Sequence, residues 1–218
     1  MTVELFVFPP SPRSFKVMVT AKILGIDAAL KPIDLIKGEQ KTAEYAAINP
    51  NMRAPALRDG AITLWEASAI MQYLALKRPE RGLLPRDEAG RLDVTRWQFW
   101  ELAHWDPACV VFVFENMIKP LVMRAGEPDA AALAKGADNF HRCALVLDGH
   151  LKGRHYIVGD ALTLADIAIG SVLNLAEAAR LPLEPYGEIR RWHATLRALP
   201  AWQETLKQCP PPPVAQAA

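Results

Sequence analysis

The sequence predicts an α/β domain followed by an all-α domain. Three observations lead to this division. Strand-like and helix-like apolar spacing alternate through the first third of the chain, and Asp59-Gly60 is a hairpin signal between two short apolar runs. From about Asp87 onward no strand signal survives, and apolar residues recur only at helical spacing.

Taken in order, Leu5 to Phe8 reads as the first strand, and Pro12 to Leu24 as a helix that opens on a proline and stops at Gly25. Leu30 to Leu35 supplies a second strand. Asn49-Pro50-Asn51 is a turn, and Pro55 either opens an edge strand or sits in a strained bend. Ala54 to Leu57 and Ile62 to Leu64 are the arms of the hairpin. Ala69, Ile70, Tyr73 and Leu74 then adopt helical spacing, with Glu66, Ala67 and Ser68 in the first turn. There, free N–H groups and the helix dipole favour a bound carboxylate. A parallel β-α-β unit, an antiparallel hairpin and a covering helix make an α/β sandwich of the thioredoxin type.

The charged, proline-bracketed run Arg78 to Arg86 marks the boundary. The expected division is 1–78, a linker 79–88, a helical domain 89–209 and a Pro-rich disordered tail 210–218, since Pro210 to Pro213 cannot be helical. Helical spacing runs through Leu92 to Val113, Ala130 to Leu151, Leu164 to Ala179 and Tyr186 to Leu199. Thr163-Leu164-Ala165-Asp166 has the form of a capping box, with Leu162 and Ile167 placed as its hydrophobic staple.

Composition narrows the function classes. The 218 residues are ordinary for a soluble globular protein, and a formal net charge of +1 gives no support for nucleic-acid binding. Cys109, Cys143 and Cys209 are poor material for disulfides or zinc, and five dispersed histidines do not suggest a metal enzyme. With no Cys-x-x-Cys, a disulfide reductase is disfavoured. No apolar run approaches the roughly 20 residues that span a bilayer, and no basic-then-apolar leader precedes Glu4 to Phe8. The expectation is a cytoplasmic protein without metal, membrane or nucleic-acid partners.

Arg53-Ala54-Pro55-Ala56-Leu57, followed by Leu64-Trp65-Glu66-Ala67-Ser68-Ala69-Ile70, resembles the cytosolic glutathione transferases. In that family a cis proline precedes the third strand and an acidic-or-Gln/Ser pair opens the next helix. Leu162 to Ala168 is a second match, to the motif that opens the family's long core helix. The resemblance covers almost the whole chain and is nearest the serine-type, theta- or phi-like bacterial members. It implies glutathione as co-substrate, a homodimer, and addition of the glutathione thiolate to a small apolar electrophile.

The same resemblance assigns the site. The first tyrosine is Tyr45 and the first cysteine Cys109, so tyrosine- and cysteine-type sites are both missing. Ser11 is then the candidate that stabilises the thiolate, with Ser14 second; the plainer reading is that Ser11 only caps the helix. Glu66 takes the γ-glutamyl ammonium and Lys41 the glycine carboxylate, with Gln40 and Arg53 as neighbouring donors. The backbone at Ala54 and Pro55 pairs with the cysteinyl segment. Ala67 stands where the family commonly has Ser or Thr, so the hydroxyl has moved to Ser68 or is lost.

The electrophile pocket is expected between the domains, drawing on Trp97, Phe99, Trp100, Trp105, Phe112 and Phe114, which suit core packing or a subunit interface equally well. His104 and Asp106 are possible polar groups there. Glutathione-dependent peroxide reduction or dehalogenation on the same site, and a non-catalytic ligand-binding or protein-interaction role, are the alternatives.

Overall fold

The computed structural model describes residues 2–209; the proline run from Pro210 and the expected tail lie outside the described residues. The first part contains β1 (Val3–Val7), α1 (Pro12–Ile23), β2 (Ala28–Pro32), α2 (Ala43–Ile48), β3 (Ala56–Asp59), β4 (Ile62–Trp65) and α3 (Ala67–Lys77). The strands form one mixed sheet in the order β2-β1-β3-β4, with β1 parallel to β2 and the other pairs antiparallel. This is the thioredoxin-like arrangement, with α1 and α3 packed together over the sheet.

Two expectations shift in register. The second strand is Ala28–Pro32 rather than Leu30 to Leu35, because pairing with β1 from Val3↔Ala28 to Val7↔Pro32 decides its length. The Ile33 N–H makes the closing bond to Val7 O at 2.8 Å. β3 begins after Pro55, which has no N–H to give a ladder, and it lies inside the sheet between β1 and β4. The edge-strand reading of Pro55 is therefore wrong; the Ala54-Pro55 bond ahead of β3 is cis. Asp59 pairs with Ile62, so the hairpin loop is Gly60-Ala61, with Gly60 at φ +60° in its first position. α1 stops as expected at Gly25, whose φ of +66° lets the Ile26 N–H reach back to Ala21 O.

The second part is helical: α4 (Glu88–Trp100), α5 (Asp106–Val113), α6 (Ala130–Leu151), α7 (Leu164–Gly170), α8 (Gly187–Arg197) and α9 (Pro200–Gln208). The predicted helix Leu92 to Val113 is not regular. Between α4 and α5 it widens into a π turn over Glu101–Trp105, where the Asp106 N–H bonds to Glu101 O, and a second wide stretch covers Phe114–Val122. Pro107 follows the first and Pro120 lies within the second, and neither offers the N–H that a regular helix needs. α7 gives way at Ser171–Leu175 to a tighter 3₁₀ turn, shorter than the expected run to Ala179.

One apolar core joins both parts, from Leu5, Phe15 and Leu74 to Trp105, Phe140 and Trp202. The aromatic supply of α4 and α5 is spent mainly there. Trp97, Trp105 and Phe112 are buried, and the Trp105 indole N–H bonds to Ile169 O at 3.1 Å. All three cysteines are free and buried.

Asp166 is more than the expected cap. Its carboxylate accepts from the Thr163 N–H at 2.9 Å, the Thr163 hydroxyl at 3.0 Å, the Ile157 N–H at 2.8 Å and the Trp192 indole at 3.0 Å. It thereby ties the loop before α7 to α8. Burial pushes its carboxyl up from the ordinary aspartate range, while these donors pull it down. Asp166→Ala removes a cap worth about 1 kcal/mol and strands buried donors at about 1 kcal/mol or more each. We predict a loss of about 2–4 kcal/mol, read from urea unfolding, with glutathione affinity unchanged; an unaltered midpoint contradicts this account.

Candidate active site

The site forms where the chain leaves the carboxyl end of β1. Phe8-Pro9-Pro10-Ser11-Pro12 carries three prolines, which restrict the loop. The Ser11 N–H bonds to Phe8 O at 2.9 Å, and the Ser14 hydroxyl accepts from the Phe8 N–H at 3.0 Å. Ser11 caps α1: its Oγ accepts from the Arg13 N–H at 3.2 Å. That bond occupies a lone pair and leaves the hydroxyl hydrogen free to be donated.

Two cavities of about 740 Å³ each open beside Ser11. The first is a polar cleft, with Gln40, Arg53, Ala54, Pro55, Glu66 and Ala67 on the sheet side and Leu102, Asp106 and Pro107 on the helical side. Its floor is held by Asn49, whose Nδ2 donates to Arg53 O at 2.6 Å, and by Tyr45, whose hydroxyl donates to the same oxygen at 2.8 Å. Gln40 Oε1 is buried without a partner among the described residues. Glu66 holds φ at +69°, uncommon for a residue with a side chain, directly before the first turn of α3.

The second cavity is an apolar groove between the Phe8 to Pro12 loop and the helices, walled by Val110, Val113, Met117, Leu121, Val172 and Leu175 among others. Four residues line both cavities: Ser11, Arg13, Leu35 and Asp106. Apart from Phe8 the groove's apolar lining is aliphatic, so the expected aromatic wall is corrected. None of Trp97, Phe99, Trp100, Trp105, Phe112 or Phe114 lines it; the buried ones pack in the core, and Phe99 and Phe114 are exposed.

Of the residues singled out from sequence, Ser11, Gln40, Arg53, Ala54, Pro55, Glu66 and Ala67 come together in the polar cleft. Three do not line it. Ser14 is fully buried beneath the loop, Lys41 is exposed beyond Gln40, and Ser68 is buried with its hydroxyl unpartnered among the described residues. His104 is exposed and lines neither cavity, whereas Asp106 lines both.

Sequence reasoning missed the charges that join the domains. Arg13 Nη2 pairs with Asp106, and Lys16 Nζ lies 3.0 and 2.9 Å from the two carboxylate oxygens of Glu101. The Lys16 and Glu101 side chains are only 2 and 3 % exposed. A lysine between Phe15 and Val17 in an apolar helix was the one available signal that a buried partner exists.

Two family models match this chain: the N-terminal domain of glutathione S-transferase over residues 1–76 and its C-terminal domain over residues 107–200. Glutathione S-transferase 3 of Zea mays is 34 % identical over 217 residues, covering 96 % of either chain. The protein belongs to the glutathione S-transferase family. Among solved structures of the family, glutathione S-transferase III in its apo form superposes with a TM-score of 0.84 at 32 % identity, covering 98 % of this chain and 99 % of that one. A glutathione transferase family member from Pseudomonas fluorescens, solved with two glutathione molecules bound, gives a TM-score of 0.83 at 27 % identity, covering 94 and 92 %. Among the described residues no helix is long and apolar enough to cross a membrane, and no group of three or more His, Cys, Asp or Glu side chains is placed to hold a metal ion.

Proposed function

We propose that this transferase binds glutathione in the polar cleft, ionises its thiol beside Ser11 and adds the thiolate to an apolar electrophile held in the aliphatic groove. Conjugation is the family's activity, and glutathione is its co-substrate. The observation that carries the site assignment is the position of Ser11 on the lining shared by both cavities. Nucleophile and electrophile must meet at such a seam. The Ser11 hydrogen is free to bond to sulfur, and the N-terminal end of α1 adds positive potential, so both favour the thiolate over the thiol.

Glutathione then lies along the sheet side. Glu66 takes its ammonium, and the N–H groups opening α3 at Ala67 and Ser68 take the adjacent carboxylate. The backbone at Ala54 and Pro55 pairs with the cysteinyl segment. Arg53 and Gln40 receive the glycine carboxylate, and Lys41 adds positive charge from the rim. Ser14 acts through the loop, by holding Phe8.

This reading places the protein among the serine-type, theta- or phi-like bacterial members of the cytosolic enzymes. It divides the chain into domains at 1–78 and 89–209, joined by the linker 79–88, with a tail from 210. A homodimer is part of the same proposal: Trp65, 40 % exposed on β4, and Phe99, 65 % exposed on α4, are apolar surface that a second copy would cover.

Calorimetric titration with glutathione tests the binding half. Glu66→Gln removes a charge-assisted hydrogen bond worth roughly 1.5–3 kcal/mol, so affinity is predicted to fall by about ten-fold or more. Equal affinity in that variant removes Glu66 from the site.

A further inference from the structure

We infer that Arg13 is the electrophile-activating residue of this enzyme, positioned by Asp106, and that it favours electrophiles whose negative charge gathers on a carbonyl oxygen during attack. The inference rests on the proposed thiolate site at Ser11. The groove walls are aliphatic, and Arg13 and Asp106 are the charged residues among the described residues that line it. Both also line the polar cleft, so Arg13 stands on the lining shared by the two cavities, where sulfur would meet carbon.

The other nearby cation is unsuited to this work. Lys16 lines the polar cleft only, and its charge is matched by both oxygens of Glu101 in a buried setting. Arg13 differs: its side chain is 43 % exposed, and its bond to Asp106 uses one of the five donors that a guanidinium carries. Asp106, 10 % exposed, anchors one guanidinium nitrogen, Nη2, and the pairing offsets the carboxylate's own charge toward an incoming thiolate. Arg13 is also held by its backbone, since its N–H caps onto Ser11.

The reaction that uses this arrangement is conjugate addition to an unsaturated carbonyl compound with an apolar tail. The thiolate forms a carbon–sulfur bond at the β-carbon, the carbon–carbon π pair moves toward the carbonyl, and the enolate oxygen takes the negative charge. Arg13 N–H groups bond to that oxygen more strongly as the charge develops, which lowers the barrier rather than only tightening binding. A proton from solvent water then completes the α-carbon, and the product is a thioether of glutathione with no charge left on sulfur or on the carbonyl oxygen. The aliphatic tail lies along Val110, Val113 and Leu121.

The test compares two probes with six- to nine-carbon tails, a 2-alkenal and a 1-iodoalkane, on wild type, Arg13→Gln and Arg13→Lys. Displacement of iodide places charge on a large, polarisable ion with little need of a hydrogen-bond donor. In Arg13→Gln the ratio of kcat/KM values, alkenal over iodoalkane, is predicted to fall about ten-fold or more, chiefly through kcat, and Arg13→Lys recovers part of it. An unchanged ratio in both variants overturns the inference. Thiolate absorbance of bound glutathione, recorded on the same samples, separates the two levels of the argument. No thiolate in wild type sinks the Ser11 site and the Arg13 role together, whereas a thiolate in every variant with an unchanged ratio sinks the Arg13 role alone.

Discussion

Ser11→Ala is expected to lose conjugating activity by about 10²–10³-fold while still binding glutathione, a loss typical for deleting one donor to a developing or resident anion. The Ser11 side chain has two jobs. As the cap of α1, Ser11 Oγ accepts from the Arg13 N–H, and its loss costs stability of about 1 kcal/mol without touching chemistry. As a donor to sulfur it holds the nucleophile in its ionised form, and its removal raises the thiol pKa toward the roughly 8.5 of a free cysteine. Ser11→Gly makes the two jobs distinguishable, because glycine is a tolerable cap but has no hydroxyl. Both variants are predicted to be equally inactive. Wild-type turnover in Ser11→Ala would move the role to backbone N–H groups, since Ser14 is buried and already engaged with Phe8.

The second large effect concerns stability. Lys16→Met leaves the Glu101 carboxylate buried without its partner, a change that typically costs 3–5 kcal/mol and is predicted here to lower Tm by about 10 °C. The pH dependence has a definite sign. Burial already pushes the Glu101 carboxyl above the ordinary glutamate range, with Lys16 opposing it. A carboxyl whose folded pKa exceeds its unfolded value contributes its stability below the unfolded pKa, about 4.3, and loses it as pH rises through the folded value. The deficit of Lys16→Met relative to wild type is therefore smallest near pH 4 and grows toward neutrality. Lys16→Met combined with Glu101→Leu is predicted to recover most of the loss, because a shape-matched apolar pair avoids the desolvation cost. A single variant as stable as wild type at pH 7 would show that water reaches the pair.

What was legible in the sequence follows the range of the forces involved. α6 is bounded as the helical spacing predicts, with Asp129 capping it by accepting from the Ala131 and Ala132 N–H groups. The Gly25 stop and the Thr163 box are likewise local devices that lie where the chain signals them, and the hairpin loop, Gly60-Ala61, falls one residue beyond the Asp59-Gly60 signal. β2 was misplaced because Leu30, Ile33 and Leu35 cluster as a short apolar run, while pairing with β1 selects Ala28–Pro32. α9 was passed over, although Pro200 at its first position is the ordinary signal for a helix start.

The same distinction holds at the site. The residues brought by the Pro55 and Glu66 motifs lie within about thirty positions of one another, so the motif carries their grouping. Arg13 and Asp106 are 93 residues apart, and Lys16 and Glu101 are 85 apart. No periodicity predicts such a meeting; it depends on how α1 lies against the widened turn before Pro107. The aliphatic groove was misread for a related reason. Spacing says which side chains share a helix face, but Trp97 of α4, Trp105 of the π turn and Phe112 of α5 turn to the core, while Val110 and Val113 line the groove beside Ser11.

Ultraviolet difference absorbance of glutathione bound to the wild-type protein, titrated from pH 5 to 9, tests the central claim most directly. The account predicts a thiolate band that is already developed at pH 7, with a midpoint below about 7.5, and its shift to higher pH in Ser11→Ala. Binding with a thiol that ionises only near pH 8.5 or above would contradict it, and would leave the protein a glutathione binder without the means to activate what it holds.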